Sequence, residues 1–467
     1  MKKKFRIEKD SLGKVKVEID KLWGAQTQRS FENFKIGEDL MPTEFISAFA
    51  IQKKAAAISN TALGNLNTKI GKQIINVCDE IISGKLNDHF PLSVWQTGSG
   101  TQTNMNLNEV IANKANIKLG KPIGTYEPIH PNDHCNFGQS SNDSFPTAMH
   151  IAILRITTDK LIPEISYLIK SLRKKEREFK NIVKIGRTHL QDATPLTLEQ
   201  EFSGFTKQIE NSLKRINYAK EDLFYLAQGG TAVGTGLNSS SKFIKGFIKA
   251  LQMITNLPFK DAKNKFESLS SHEPIIFFNS SINSLVIACY KISNDIRLLA
   301  SGPRCGIGEL ILPSNEPGSS IMPGKVNPTQ CEAMAQVCLH LQGLYTSNSF
   351  AGSQGHFQLN ANKTLIIFNT IRSINLISDA IKSFRLKCLD NIIANSDQIK
   401  KNLNNSLMLV TALNPKIGYS KSAEIAKKAH KEKITLKEAA LKLNYLSEKE
   451  FDKVSNLIKK IKKAGVI

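Results

Sequence analysis

Apolar residues recur along the middle of the chain with the spacing of helices. Leu154, Leu161, Ile165, Leu168 and Leu172 follow one another at steps of seven, four, three and four residues, with Lys, Arg and Glu between them. A period near 3.6 places such residues on one face of a helix. Other segments with this pattern are 197–226, 240–254, 279–300, 328–344 and 363–384. The pattern predicts a mainly α protein built around a bundle of long helices.

Some of these segments carry apolar residues on more than one face. Ile282, Leu285, Val286 and Ile287 together cover a wide arc of one helix. A helix that is apolar on two sides needs neighbours on both sides. We therefore expect the helices to pack against other copies of the chain.

The pattern divides the chain into three expected domains. Residues 1–140 mix short helical patterns with loops rich in Gly, Pro and Asn, and residues 141–389 hold the long helices. Residues 390–467 contain Thr435-x-x-Glu438 and Ser447-x-x-Glu450, two capping boxes that each open a short helix. We expect an N-terminal mixed helical and loop domain, a central long-helix bundle and a small C-terminal helical domain.

The formal net charge of +22 raises the question of nucleic-acid binding. The excess is mostly Lys, spread over the whole length and without interleaved aromatic residues. We interpret it as solvated surface that attracts anionic substrates, and we expect no nucleic-acid partner.

Targeting and cysteine patterns indicate a cytoplasmic protein. No apolar run approaches the ~20 residues that cross a bilayer, and the start of the chain lacks the apolar segment of a secretion signal. The seven cysteines are scattered and never spaced Cys-x-x-Cys, so we expect free thiols. No histidine pair has the spacing of metal ligands, so we expect no metal site. Because no apolar run is long enough to cross a bilayer, we also expect no membrane partner.

Two segments, 98–104 and 130–143, concentrate small polar residues. Their hydroxyl, amide and backbone donors suit a carboxylate that is bound and later released, because neutral hydrogen bonds cost less desolvation than buried cations. The same residue types favour turns and helix N-caps, so either segment alone also fits a structural role.

A third segment, 318–328, reads G-S-S-I-M-P-G-K-V-N-P. It is not a phosphate-binding loop, because five residues separate Gly318 from Gly324 where that motif has four, and Val326 follows the Lys. The segment around Gly234-x-Gly236 is not a dinucleotide motif either, because Ser239 stands at the third glycine position.

The composition of this third segment fits carbanion chemistry. Removal of a proton next to a carboxylate leaves a doubly charged enediolate, which needs preorganised donors and a positive charge. Lys325 and Asn327 are the candidates for this task. Ser319 is the candidate base, if its surroundings favour the alkoxide. His189 is more typical of a structural residue when taken alone, but with Glu332 it could form an acid–base pair.

These segments together resemble the aspartase/fumarase superfamily and, within it, class II fumarases. The segment 318–328 is similar to the superfamily signature. D-K-L-W-G-A-Q-T-Q-R-S, W-Q-T-G-S-G-T-Q, H-P-N-D, Q-S-S-N-D and G-R-T-H-L-Q-D-A-T-P-L-T-L look like class II fumarase in the same order. The resemblance extends from about residue 10 to residue 451.

The resemblance implies a mainly α, three-domain aspartase/fumarase-like fold. In that family the long central helices assemble into the twenty-helix core of a homotetramer, and each active site is built from three chains. The implied activity is the reversible hydration of fumarate to L-malate, a step of the tricarboxylic acid cycle, through an enediolate and without a metal or cofactor. The implied partner is a small dicarboxylate.

The resemblance also implies a role for individual residues. Ser319 would take the C3 proton of malate, and His189 with Glu332 would handle the water or leaving hydroxyl. Lys325 and Asn327, beside Val326, would bind the carboxylate that becomes the enediolate. The remaining implied substrate-binding residues are Ser99, Gly100, Thr101, Ser140, Ser141, Asn142, Thr188 and Ser320.

Some positions depart from the family pattern. A second anion site is implied at His130, Pro131, Asn132 and Asp133, but Glu127 stands where the family has an Arg, which argues against anion binding there. The segments 238–241 and 358–363 and the C-terminal residues 457–467 also differ.

Two alternatives to a fumarase remain. An aspartate ammonia-lyase typically has Gln in place of His189 and Ser-Thr in place of Ser140-Ser141, so both positions favour a fumarase. The net charge and the changed segments are instead compatible with a scaffold, or a basic nucleic-acid-binding protein, that has lost catalysis.

Overall fold

Helices form most of the structure, a computed structural model that describes residues 4–454. The α-helices in chain order are α1 (Ala25–Asn33), α2 (Thr43–Ala62), α3 (Thr68–Ile82), α4 (Thr101–Lys118), α5 (Ser141–Ile156), α6 (Ile162–Glu178), α7 (Leu198–Ala219), α8 (Ser241–Thr255), α9 (Lys265–Ser270), α10 (Glu273–Leu299), α11 (Thr329–Gly352), α12 (Lys363–Lys387), α13 (Ser396–Asn405), α14 (Asn414–Ile417), α15 (Tyr419–Glu432), α16 (Leu436–Lys442) and α17 (Glu448–Val454). Short 3₁₀ or π segments are Asn87–His89, Pro131–Cys135, Thr157–Leu161, Asp222–Phe224, Leu389–Asn391 and Leu407–Leu413.

The strands are short and pair two by two. They are β1 (Phe5–Asp10), β2 (Gly13–Glu18), β3 (Val183–Thr188), β4 (Gln191–Thr197), β5 (Tyr225–Leu226), β6 (Lys260–Asp261), β7 (Leu310–Ile311), β8 (Gly355–His356), β9 (Leu359–Asn360) and β10 (Ile393–Ala394). Within the described residues, β1 pairs with β2, β3 with β4, β7 with β10 and β8 with β9 in antiparallel fashion, and β5 with β6 in parallel.

The predicted mainly α fold is confirmed, and every segment predicted to be helical contains a helix. Some helices end earlier than predicted, because apolar residues continue at helical spacing beyond the end of the helix. The segment 197–226 holds α7 only as far as Ala219, and a 3₁₀ turn and β5 follow it. Thr197 lies outside α7, where its hydroxyl accepts a hydrogen bond from the Gln200 backbone N–H at 3.1 Å.

The described chain forms two compact units. The first comprises the residues up to Pro163 with Lys214–Ser284 and His340–Ile377. The second comprises Glu164–Leu213, Leu285–Leu339 and the described residues from Ser378 onward. The division at residues 140 and 389 into three domains remains a prediction, and the changed C-terminal residues 457–467 lie outside the described residues.

Aromatic side chains form part of the core in each unit. In the first unit α2 packs against α3, α5 and α8. The rings of Phe45 on α2 and Phe145 on α5 lie 4.6 Å apart between centroids, and both are fully buried. In the second unit the ring centroids of Phe179 and Phe202 lie 4.9 Å apart in an edge-to-face contact. Burial of such side chains supplies much of the favourable free energy of folding.

Helix α10 corrects the expectation that no segment is long and apolar enough to cross a membrane. It has 27 residues, and its most apolar window has a mean hydropathy of 1.4. Of that window, 56% is buried inside the protein, as in a core helix. On the same helix Ile282, Leu285 and Val286 are buried, whereas Ile287 remains 53% exposed. The chain's own described residues therefore leave part of the apolar surface of α10 uncovered.

Both predicted capping boxes are confirmed. The Thr435 hydroxyl accepts a hydrogen bond from the Glu438 backbone N–H, and the Glu438 carboxylate accepts one from the Thr435 backbone N–H. Ser447 and Glu450 make the same pair of bonds before α17. Each box satisfies two N–H groups that a helix start otherwise leaves without partners.

We predict that Thr435→Ala destabilises α16 by about 1 kcal/mol, because the cap hydroxyl is lost. Hydrogen exchange followed by mass spectrometry should show faster exchange of the α16 backbone amides by about fivefold. Thr411→Ala is the matched control, because that hydroxyl bonds to the Met408 carbonyl and caps no helix. Unchanged exchange in α16 after Thr435→Ala would contradict the prediction.

Candidate active site

Candidate substrate-binding hydroxyls cluster in the first unit, where α4 and α5 begin. The hydroxyls of Thr101 and Ser141 lie 2.8 Å apart, and that of Ser99 lies 3.0 Å from that of Thr101. All three residues are only partly buried. The structure thus brings together two polar segments that are far apart in the sequence.

Gly100 allows this approach of α4 and α5. It precedes α4 with a φ of +80°, a left-handed conformation that favours glycine. A Cβ at this position would lie 2.1 Å from a ring carbon of Phe145. A side chain at position 100 would therefore displace the hydroxyl cluster.

The buried side chain of Asp143 fixes the backbone of the second polar segment, 130–143, through hydrogen bonds. Its carboxylate is fully buried and accepts backbone N–H bonds from Ser140 at 3.0 Å, Gly229 at 2.9 Å and Thr231 at 3.0 Å. Burial raises the pKa of Asp143 to about 6, and these backbone bonds oppose the rise. The carboxylate therefore ties the start of α5 to the loop after β5.

Ser140 has the structural role that the sequence analysis gave as the alternative, because it caps the N-terminus of α5. Its hydroxyl accepts a bond from the Asn142 backbone N–H at 3.1 Å, within a capping box closed by Asp143. The Asn142 side chain donates to the Ala232 carbonyl at 2.8 Å. Structural bonds thus fix Ser140 and Asn142 and keep them partly exposed beside Ser141.

Lys53 supports the same segment, and the sequence reasoning missed it. Its side chain is buried within α2, and its ammonium donates to the side-chain oxygens of Asn136 at 2.9 Å and Gln139 at 3.2 Å. Burial lowers the pKa of Lys53 from 10.5 to about 7. The only available signal was a Lys within an Ala- and Ile-rich helical stretch.

In the second unit, His189 lies at the tip of the β3–β4 hairpin. Thr188 pairs with Gln191, so the turn contains only His189 and Leu190. Both turn residues have positive φ, 57° and 61°, as type I′ turns require. Non-glycine residues adopt this backbone conformation only at a cost in conformational energy. Strained residues of this kind are concentrated at functional sites. The sequence pattern gave no indication of the hairpin.

The loop 318–327 folds back on itself in the second unit. The Gly318 backbone N–H donates to the Lys325 carbonyl at 3.1 Å, and a Cβ on Gly318 would lie 2.1 Å from that oxygen. The Asn327 amide donates to the Gly318 carbonyl. A glycine is therefore needed at the base of the loop.

Within this loop the Ser319 hydroxyl accepts hydrogen bonds from two backbone N–H groups. The donors are Ile321 at 3.2 Å and Met322 at 3.0 Å. Donors that point at an oxygen stabilise its negative form. Ser320, Lys325 and Val326 are exposed on the same loop. This arrangement can stabilise an alkoxide and present an ammonium to an anion.

A cavity of about 440 Å³ adjoins the loop within the second unit. Lys325, Val326 and Asn327 line one side, and Arg297 and Asn395 are among the other lining residues. The cavity is large enough for a small dicarboxylate.

His189 and Glu332 do not pair within one chain. Both side chains are exposed, and Glu332 lies in the first turn of α11. Within residues 4–454 no hydrogen bond or ion pair joins the two side chains. The implied acid–base pair therefore stays a prediction that needs another chain or a movement.

The implied second anion site lies in the first unit, beside a cavity of about 290 Å³. His130 Nδ1 accepts from the backbone N–H groups of Asn132 and Asp133, both at 3.3 Å. Lys9, Asp10 and Glu109 also line this cavity, and Asp10 is paired with Arg29 at 2.7 Å. Anion binding at this place therefore stays an untested expectation, which Glu127 argues against.

Between residues 4 and 454 no group of three or more His, Cys, Asp and Glu side chains is placed to hold a metal ion.

Two protein-family profiles match the chain and define its class of enzyme. The lyase family profile matches residues 13–343, and the profile of the fumarase C C-terminus matches residues 409–459. The chain is therefore an enzyme of the lyase family.

Individual relatives narrow this class. The chain is 56% identical to fumarate hydratase class II 2 of Bradyrhizobium diazoefficiens, over 96% of this chain and 95% of that protein. It is 55% identical to the mitochondrial fumarate hydratase of Saccharomyces cerevisiae, over 97% and 93%. The crystal structure of class II fumarase from Schistosoma mansoni matches with a TM-score of 0.95 and 42% identity, over 98% and 99%. The chain belongs to the class II fumarate hydratase family.

We predict that Lys53→Met changes how stability depends on pH. The pKa of Lys53 is about 7 in the folded chain and near 10.5 in the unfolded chain, so the unfolded chain binds more protons between these values. The free energy of unfolding should therefore rise by about 1 kcal/mol per pH unit from this residue between pH 7 and 10.

Urea unfolding at pH 7, 8 and 9 measures this slope. Lys53→Met should lack the contribution, and Lys72→Met, which removes an exposed lysine of α3, should keep it. Equal slopes in wild type and Lys53→Met would show that the ammonium stays charged throughout.

Proposed function

We propose that this chain catalyses the reversible hydration of fumarate to L-malate. The observation that carries the proposal is the closed loop 318–327, in which the Ser319 hydroxyl accepts two backbone N–H bonds near an exposed Lys325. The names of its class II relatives support the same reaction. The alternative lyase reaction, ammonia release from aspartate, is disfavoured by His189 and Ser141.

In the proposed dehydration, Ser319 as the alkoxide removes the C3 proton of malate. The electron pair of the C–H bond moves into the adjacent carboxylate and forms an enediolate. Lys325 and Asn327 offset its second negative charge with an ammonium and an amide donor. The loop fixes these groups in advance, so little reorganisation accompanies the reaction.

In the second step the electron pair returns and forms the C2–C3 double bond of fumarate. The C2 hydroxyl leaves with a proton supplied by His189, and Glu332 stabilises the imidazolium before that proton is given up. Water is the product, and the reverse order of steps adds it. Imidazole suits this role because it gains and loses a proton near neutral pH.

The hydroxyl cluster of the first unit is proposed to hold the substrate. Ser99, Thr101 and Ser141, with Ser140 and Asn142, offer neutral donors to a carboxylate. Gly100, Thr188 and Ser320 complete the proposed binding set. Neutral donors orient the anion without holding it so tightly that the product is retained.

A homotetramer with shared active sites is part of the proposal. The exposed apolar Ile287 on α10 supports a site that several chains complete, as do the side chains of His189 and Glu332, which find no partner within residues 4–454. The proposal includes no metal or cofactor, because serine, lysine and imidazole groups account for each step. A cytoplasmic location is proposed as well, and the compartments in the names of relatives do not decide it for this chain.

We predict that the purified protein converts malate to fumarate, with a rise in the ultraviolet absorbance of fumarate. Ser319→Ala and His189→Asn should each lower kcat by at least about 100-fold, because general acid–base groups contribute about that much. Ser314→Ala, an exposed serine just outside the loop, is the matched control and should retain full activity.

This assay, together with measurements of ammonia release and of DNA binding, separates the alternatives. A wild-type rate in Ser319→Ala would remove the base assignment. Ammonia release from aspartate without fumarate hydration would make the chain an ammonia-lyase. Salt-sensitive DNA binding in the absence of any lyase activity would favour the scaffold alternative.

A further inference from the structure

A fully buried carboxylate lies behind the hairpin that carries His189. Glu309 has no exposed side-chain surface, and it accepts two hydrogen bonds from Arg187 of β3. The two guanidinium nitrogens lie 3.0 Å and 2.7 Å from the two carboxylate oxygens. Such a two-bond contact fixes both the distance and the orientation of the partners.

Further charged groups balance this pair within the second unit. The ammonium of Lys184, also on β3, lies 3.3 Å from Glu309 and 3.2 Å from Glu201. The Asn402 side chain on α13 donates to Glu309 at 3.2 Å. Burial raises the pKa of Glu309, but Arg187 and Lys184 offset this effect and leave it below its ordinary value. The carboxylate is therefore charged, and it anchors β3 at two positions, Lys184 and Arg187.

The tip of the hairpin has few contacts of its own. Within residues 4–454, the His189 ring makes no hydrogen bond or ion pair, and Leu190 is 70% exposed. Both residues also have the positive φ that non-glycine residues adopt only at a cost. Such a conformation persists only where the surrounding structure holds it. Arg187, two residues before His189, is the charged anchor next to the turn.

We propose that Arg187 and Glu309 are positioning residues for His189: their partly buried two-bond ion pair holds the β3–β4 hairpin in the strained turn that aims the imidazole. This inference rests on the proposed role of His189 in hydration. Arg187 itself points back toward the buried Glu309, so it acts through the backbone of the hairpin and not on the substrate. Lysine has no planar fork, so it cannot reproduce the contact.

A double-mutant cycle tests whether Arg187 acts through His189. Arg187→Lys should lower kcat by about tenfold or more and change KM by less than about twofold, because a small displacement of an acid–base group slows the chemical step. In the His189→Asn background the same substitution should change the residual kcat by less than about twofold. Glu210→Gln, which breaks the partly exposed pair with Arg173, is the control and should leave kcat unchanged.

A second measurement does not depend on activity. Hydrogen exchange of a peptide covering β3, the turn and β4 should be faster by about fivefold or more in Arg187→Lys and in Glu309→Gln, and unchanged in Glu210→Gln. Arg187→Lys retains the charge, so it keeps the experiment informative if Glu309→Gln fails to fold.

The outcomes distinguish the two proposals. An equal loss of kcat with and without His189, or unchanged exchange of the hairpin, would overturn the positioning role. A wild-type protein without hydratase activity would overturn the proposed function, and the exchange measurement would still decide whether the ion pair holds the hairpin.

Discussion

Burial of charge is the constraint on which the candidate active site depends. A buried charge without partners costs several kcal/mol, so the buried carboxylates of Glu309 and Asp143 each need hydrogen-bond donors or opposite charges around them. Glu309 binds Arg187 and Lys184, and Asp143 binds three backbone N–H groups. In both cases at least one partner, Arg187 or Ser140, belongs to a segment that carries candidate site residues. The need to satisfy a buried carboxylate thereby fixes the backbone of that segment.

This arrangement separates the groups that hold the site from those that are free to react. Ser140 is used as a helix cap, whereas Ser141 and Thr101 share one hydrogen bond and remain partly exposed. The Ser319 hydroxyl is oriented by two backbone donors, and Lys325 on the same loop stays exposed. Exposed reactive groups on rigid supports are what a site that binds and releases a small anion requires.

The long helices in the middle of the chain were predictable from sequence because apolar residues recur in them at helical spacing, and both C-terminal capping boxes because each is encoded within four residues. The β3–β4 hairpin was not predictable, since His189-Leu190 lacks the Asn-Gly signal of a two-residue turn. Its conformation depends on contacts from Glu309, which lies far away in the sequence. Lys53 was missed for a similar reason, because only its burial beside Asn136 and Gln139 distinguishes it from the many surface lysines.

The sequence by itself determined the helical class, the polar segments and the identity of the candidate acid, base and cation, because these follow from local periodicity and from motifs of a few residues. Tertiary structure alone decided which hydroxyls meet, such as Thr101 with Ser141, and which are consumed as caps. It also decided that His189 stands in a strained turn, two residues after the Arg187 that pairs with the buried Glu309. The physical reason is that hydrogen bonds and charge pairing between distant segments depend on distances that no local pattern contains.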